Sequence, residues 1–205
     1  MSTAGGPSPF LDAPTLRGDH VVLEPLAAQH EAELAEAVQD GELWRLWVTR
    51  IPPPEGMRAE IRRRLAEHAA GTMVPWTVRD ARTGRAVGMT TYLNVRADNR
   101  RLEIGSTWLA AGAQRTAANP EMKLLLLNRA FEVLDCVAVE FRTHWHNRRS
   151  RRAIEALGAK RDGVLRNQDL WQDGTVRDVV VYSVIDAEWP TVRLGLRERL
   201  RGYTS

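Results

Sequence analysis

The chain has 205 residues, 43% of them hydrophobic and 27% charged, which suits one globular domain with a substantial core. Its formal net charge is +3 and it holds a single cysteine, so an intrachain disulfide framework and a cysteine-rich zinc site are excluded. No apolar run approaches the roughly 20 residues that span a bilayer.

The N-terminus has neither a basic start nor a long apolar stretch, unlike a signal peptide. Residues 1–12 are therefore expected to form a flexible tail and residues 13–205 a single domain, with the cytoplasm as the simplest compartment. Leu16–Leu26 reads as a strand in which Val21 and Leu23 alternate inward. Gln29–Val38 reads as a helix closed by Asp40-Gly41. Leu43–Gly56 is irregular and aromatic, and Pro52-Pro53-Pro54 can neither continue a helix nor pair within a sheet. Met57–Ala69 is a second helix, rich in arginine. Strands follow at Pro75–Asp80 and Ala86–Asn94, joined by a hairpin turn, and then a third at Leu102–Leu109.

The loop Ala110–Ala118 leads to a helix opened by Asn119, a good N-cap, and Pro120, which suits the first helical position. The helix itself, Met122–Leu134, is apolar on nearly all sides and should be buried. Within it, Lys123 either reaches a phosphate or snorkels to water. A strand at Cys136–Thr143 follows, with Cys136 read as a small buried hydrophobe. A helix then opens at Asn147 and closes at Gly158. The hairpin of Leu165–Trp171 and Val176–Ile185, turning at Gln172–Thr175, and a polar helix Val192–Arg201 complete the chain. A meander followed by strand–helix–strand is an α+β plan.

The run 102–158 concentrates the chemistry. Helix N-termini present unpaired N–H groups and a positive dipole end, and a strand leading into one places a ligand at the strand's C-terminal end. Two such units stand in tandem here. The segment Asn147-Arg-Arg-Ser150-Arg-Arg-Ala153-Ile154-Glu155-Ala-Leu157-Gly158-Ala159 resembles the N-x-x-S-x-x-A-I-E-x-L-G-A segment of GNAT-fold N-acetyltransferases. The likeness is to the branch typified by bacterial ribosomal-protein N-terminal acetyltransferases (RimJ/RimL-like), and runs from about Leu16 to about Trp189. It implies the GNAT fold: a mixed, mostly antiparallel central sheet flanked by helices.

The resemblance implies acetyl-CoA as co-substrate, a primary amine as acceptor and no metal. Relatives bind the pyrophosphate with a Q/R-x-x-G-x-G/A loop; here it reads Gln114-Arg115-Thr116-Ala117-Ala118-Asn119, with Ala117 and Asn119 in place of glycines. Arg115 is a candidate to supply side-chain charge instead, or is a solvated loop residue. Asn147 matches the residue that bonds the pantetheine arm, and also suits a helix cap. Of the arginines around Ser150, Arg152 and Arg148 share a face, and Arg152 is taken as a phosphate contact. Ser150 matches the serine placed near the thioester sulfur. The tyrosine used elsewhere in the family is replaced by Ile154, leaving Tyr182 as a weaker candidate.

Glu103 is the leading base, in a strand whose C-terminal part should splay from its neighbour; the alternative is a surface or ion-paired strand glutamate facing Arg100, Arg101 or another cation. His144 and His146 rank below it. A backbone N–H of Trp108 or Leu109 is the candidate oxyanion donor. Trp44, Trp47 and Tyr92 are candidates for the acceptor pocket, although Trp44 and Trp47 could equally staple the first helices to the sheet. A noncatalytic acyl-CoA-binding sensor on the same fold is the alternative function. Nucleic acid is an unexpected partner, because basic and aromatic residues do not interleave. Dimers are common among such relatives, so a homodimer is one expected state.

Overall fold

The computed structural model describes residues 8–171 and 173–203. Among them, eight strands form one sheet in the order β1-β2-β3-β4-β5-β6-β8-β7. These are β1 Leu16–Arg17, β2 Val21–Pro25, β3 Met73–Asp80, β4 Ala86–Arg96, β5 Arg101–Leu109, β6 Ala138–His144, β7 Lys160–Leu170 and β8 Val176–Ile185. Every neighbouring pair is antiparallel except β5 and β6, which run parallel. The helices are α1 Glu31–Gln39, α2 Met57–Ala69, α3 Ala118–Asn128, α4 Arg148–Glu155 and α5 Trp189–Arg201.

The sheet carries a core on each face, which is why β3 is buried along most of its length rather than alternating. On one face Leu34 and Val38 of α1 and Met57 and Ile61 of α2 pack with Met89 and Trp108. On the other, Met122, Leu126 and Leu127 of α3 and Leu196 of α5 pack with Trp76, Tyr92, Phe141 and Tyr182. Each fully buried side chain of this kind contributes about 1.5–3 kcal/mol. No described helix is long and apolar enough to cross a membrane.

Four details depart from the sequence reading. The expected first strand breaks at Gly18-Asp19-His20, because the carboxylate of Glu121 in the first turn of α3 accepts the N–H groups of Asp19, His20 and Val21 at 2.9, 2.7 and 2.7 Å. A Cβ on Gly18 would stand 2.4 Å from that carboxyl carbon, so a larger residue there would have to displace the carboxylate from the turn. Second, α3 starts two residues early. Ala117 takes the N-cap position, and the hydroxyl of Thr116 accepts the N–H of Ala118 at 3.1 Å, leaving Asn119 inside the first turn. Third, α5 begins at Trp189, since Pro190 is compatible with a first helical turn. Fourth, the described part of the expected tail, residues 8–12, is docked. Phe10 joins the core at 7% exposure, and Arg129 donates to the carbonyls of Pro9 and Asp12 at 2.8 and 3.1 Å. Residues 1–7 lie outside the described residues, as does Gln172 of the expected β7–β8 turn. Cys136 is buried and unpaired, as its apolar surroundings implied.

Candidate active site

β5 and β6 pair only from Arg101–Glu103 against Ala138–Glu140. Past Glu103 the two strands part, and a cleft of about 810 Å³ opens between Glu103–Leu109 of β5 and Phe141–His144 of β6. Asn119 of α3, Asn147 before α4 and Ser150 within α4 line it as well. The splay expected after Glu103 is therefore present.

Two bulges shape the β5 wall. Between the pairs Met89–Trp108 and Thr91–Gly105, β5 carries one residue more than β4; Ser106 absorbs the kink with φ 45°, and its carbonyl accepts from Arg64 at 3.2 Å. Arg64 is itself 2% exposed and is held by Glu60 at 2.7 Å and by the Thr91 hydroxyl at 2.5 Å. Between Leu93–Glu103 and Arg96–Arg101 the extra residue lies on β4. There Asn94, with φ 47°, donates its amide to Oε2 of Glu103 at 2.7 Å.

Glu103 is 6% exposed and lines the cleft. Burial raises its pKa; the Asn94 bond and the Arg142 guanidinium at 3.5 Å oppose that rise only in part. Of the cations the alternative reading offered, Arg101 pairs with Glu140 and Arg100 with Asp135, and the cation beside Glu103 is Arg142. His144 also lines the cleft. Its Nδ1 accepts the backbone N–H of His146 at 3.0 Å, while burial, Arg177 and His146 lower its pKa. The neutral ring thus carries its proton on Nε2 and has no lone pair left to accept another. His146 is exposed.

At α4, Asn147 does cap the helix, its Oδ1 accepting the N–H of Ser150 at 3.0 Å. Ser150 is half-buried and lines the cleft with Ile154 beside it. Tyr182 does not: its hydroxyl donates to Glu155 at 2.8 Å and accepts from Arg151 at 3.2 Å, outside the cleft lining. Arg152, expected as a phosphate contact, is exposed and does not line the cleft. Arg149 does so instead, because Arg149 and Ala153 share a stripe with Ser150 and Ile154 at helical spacing. Arg149 also donates to Oε1 of Gln114, whose amide donates to the Leu109 carbonyl at 2.5 Å, tying α4 to the loop before α3.

In that loop Gln114, Arg115, Thr116 and Asn119 line the cleft, whereas Ala117 and Ala118 are buried and do not line it. The missing glycine leaves no strain at Ala117, whose φ of −61° suits any residue. The left-handed position of the loop is Arg115, with φ 63°. Trp108 and Leu109 line the cleft but pair with Met89 and Gly88, while Ser106 and Thr107 have no register partner on either neighbouring strand. The indole N–H of Trp108 is buried without a partner.

None of the three aromatic residues expected in the acceptor pocket lines the cleft. Tyr92 is wholly buried on the α3 face, its hydroxyl donating to the Leu126 carbonyl at 2.6 Å, since the strand's alternation turns it inward; Leu93 and Asn94 line the cleft instead. Trp44 packs against the α1–α2 core, the alternative reading of that residue. Trp47 is 62% exposed and sits against His144 and His146, with its carbonyl fixed by Arg177 at 2.6 Å. The sequence reading missed Asn94, Arg64, Thr107 and Arg142. Only Arg64 left a signal: it falls on the buried stripe of α2 with Met57 and Ile61. Among the described residues no three His, Cys, Asp or Glu side chains form a metal-binding group.

The family model for the acetyltransferase (GNAT) domain matches residues 20–160, and the chain belongs to that family. It is 37% identical to a candidate acetyltransferase from T. thermophilus, whose crystal structure superposes with a TM-score of 0.81 over 92% of this chain and 98% of that one. It is 28% identical to a GCN5-related N-acetyltransferase from Brucella melitensis, with a TM-score of 0.81 over 95% and 87%. RimL, a ribosomal L7/L12 alpha-N-protein acetyltransferase, shares the fold at 16% identity and a TM-score of 0.74 over 84% and 94%. None of the curated proteins matches the chain.

Proposed function

We propose that this GNAT acetyltransferase moves the acetyl group of acetyl-CoA to a primary amine by direct attack in a ternary complex. The amine would be a protein N-terminus, an amino acid or a small amine. The observation that carries the reading is the unpaired edge of β5 beyond Glu103, facing Ser150 across the cleft. The residues fit the co-substrate. Free backbone groups on that edge suit the amides of a pantetheine arm, Asn147 offers a side-chain amide, and Arg115 and Arg149 offer charge for its phosphates.

Within that complex Glu103 accepts the amine proton. Its raised pKa brings a carboxylate base nearer to working pH, and Asn94 and Arg142 keep it oriented. A backbone N–H between Ser106 and Leu109, where β5 no longer pairs with β6, is the candidate oxyanion donor. Ser150 donates to the departing thiolate. The Asn147–Ala159 segment supports a place near the RimJ/RimL-like branch, and a homodimer is the assembly we expect. The sensor alternative draws on the glycine-poor loop, in which Ala117 adopts an ordinary helical backbone.

Thiol release from acetyl-CoA across a panel of amines tests the reading. Wild-type protein should release thiol with at least one primary amine. Glu103→Gln should slow turnover by about 10²–10⁴-fold without loss of CoA binding. Wild-type-like turnover in Glu103→Gln would remove Glu103 as the base, and no release with any amine would favour the sensor.

A further inference from the structure

Lys123 is left unused by the reading above, and its setting is unusual. The chain has 27 arginines but only two lysines, Lys123 and Lys160. Lys160 is exposed and paired with Glu188 at 2.5 Å. Lys123 is 6% exposed, yet it lines the cleft between β5 and β6. Its Nζ donates to the hydroxyl of Thr107, on the unpaired part of β5, at 3.0 Å, and lies 5.9 Å from the Phe141 ring centroid on β6.

The charged and titratable groups around the same cleft are Arg50 before α2, Arg64 on α2, Glu103 on β5, Arg115 before α3, Arg142 and His144 on β6, Arg149 on α4, Asp169 on β7 and Arg199 on α5. None forms an ion pair with Lys123; Arg64 is held by Glu60, Arg142 by Glu140 and Glu103, and Arg149 by Gln114. A buried cation without a counter-charge is costly, and lysine, unlike arginine, can shed its proton to avoid that cost. Burial lowers the Lys123 pKa to about 7, so much of it is free amine at neutral pH.

We propose that Lys123 is a self-acetylation site, its amine taking the acetyl group of acetyl-CoA held in the same cleft. The proposal rests on the cleft being the acetyl-CoA site. The Nζ lone pair forms a C–N bond with the thioester carbonyl carbon as the C–S bond breaks. Sulfur leaves as the CoA thiolate and is protonated by the proton that nitrogen loses; nothing is oxidised or reduced. The neutral amide product no longer buries a charge.

Wild-type protein incubated with acetyl-CoA and no amine, followed by peptide mass mapping, tests the step. One acetyl group should appear on Lys123 well before Lys160, and excess free CoA should suppress it. The rate should rise roughly tenfold between about pH 6 and pH 8, where an ordinary lysine would rise roughly a hundredfold. Preferential modification of Lys160, or labelling of Lys123 that free CoA does not suppress, overturns the proposal. If free CoA raises the unfolding temperature while Lys123 stays unmodified, the proposal fails and the cofactor reading stands. If CoA neither binds nor competes, both fail.

Discussion

The two helices that open onto the cleft are anchored by opposite strategies. α4 caps itself: Asn147 Oδ1 accepts the Ser150 N–H, and the residues that follow point either into the cleft or to solvent by simple helical spacing. α3 is anchored outward. Its first-turn Glu121 reaches the β1–β2 turn and satisfies three backbone N–H groups there, while its own start is closed by Ala117 and the Thr116 hydroxyl. An inward-facing start can be read from local spacing. An outward anchor joins residues about a hundred positions apart and leaves no local trace. The two starts also differ in the cations they bring to the cleft. Arg149 lines the cleft from α4, and Arg115 lines it from the loop before α3.

The contrast can be broken at three points. Glu121→Ala should have the largest effect, about 3 kcal/mol of lost stability in urea unfolding, since it strands three N–H groups. A loss below about 1 kcal/mol would mean that the turn finds other partners.

Lys123→Met, on the next turn of α3, should act in the other direction. With its folded pKa near 7 and its unfolded value near 10.4, the unfolded state binds more protons between those limits, so wild-type stability rises with pH across that window. Below about pH 7 both states are protonated and the full burial cost is present. The variant should therefore be more stable than wild type by about 1–3 kcal/mol near pH 6, with the gap closing toward pH 10. A gap that does not change with pH would contradict the unpaired setting of this lysine.

Asn147→Ala should have the smallest effect, about 1 kcal/mol for the lost cap. If it also weakens CoA binding beyond that, the side chain serves ligand and helix together.

Much of the fold was legible because it is written in short-range pattern. The strand alternation, the turns at Asp80–Gly84 and Asp173–Thr175, and the capped start at Asn147 all follow from neighbours in sequence. The splay after Glu103 followed from the family resemblance. The bulges at Asn94 and Ser106 were not legible. Both put a non-glycine residue at positive φ, and what holds Ser106 there is Arg64, 42 positions away. Tyr92 was misplaced because strand alternation fixes two faces but does not say which one meets the ligand. Arg152 was preferred over Arg149 because the run of arginines hides which stripe of α4 faces the sheet. Lys123 was seen but read as reaching a phosphate or water, since burial without a counter-charge is a property of the packed cleft alone.

Thermal unfolding with and without free CoA and acetyl-CoA tests the cleft most directly. At about a hundredfold excess over its dissociation constant, a ligand of the native cleft stabilises it by about 2.7 kcal/mol, a shift of several degrees. We expect that shift with both ligands, and a smaller one when Arg115 and Arg149 are both replaced by alanine. Unchanged unfolding of the intact wild-type protein at saturating concentrations of both would contradict the assignment of the β5–β6 cleft as the acetyl-CoA site.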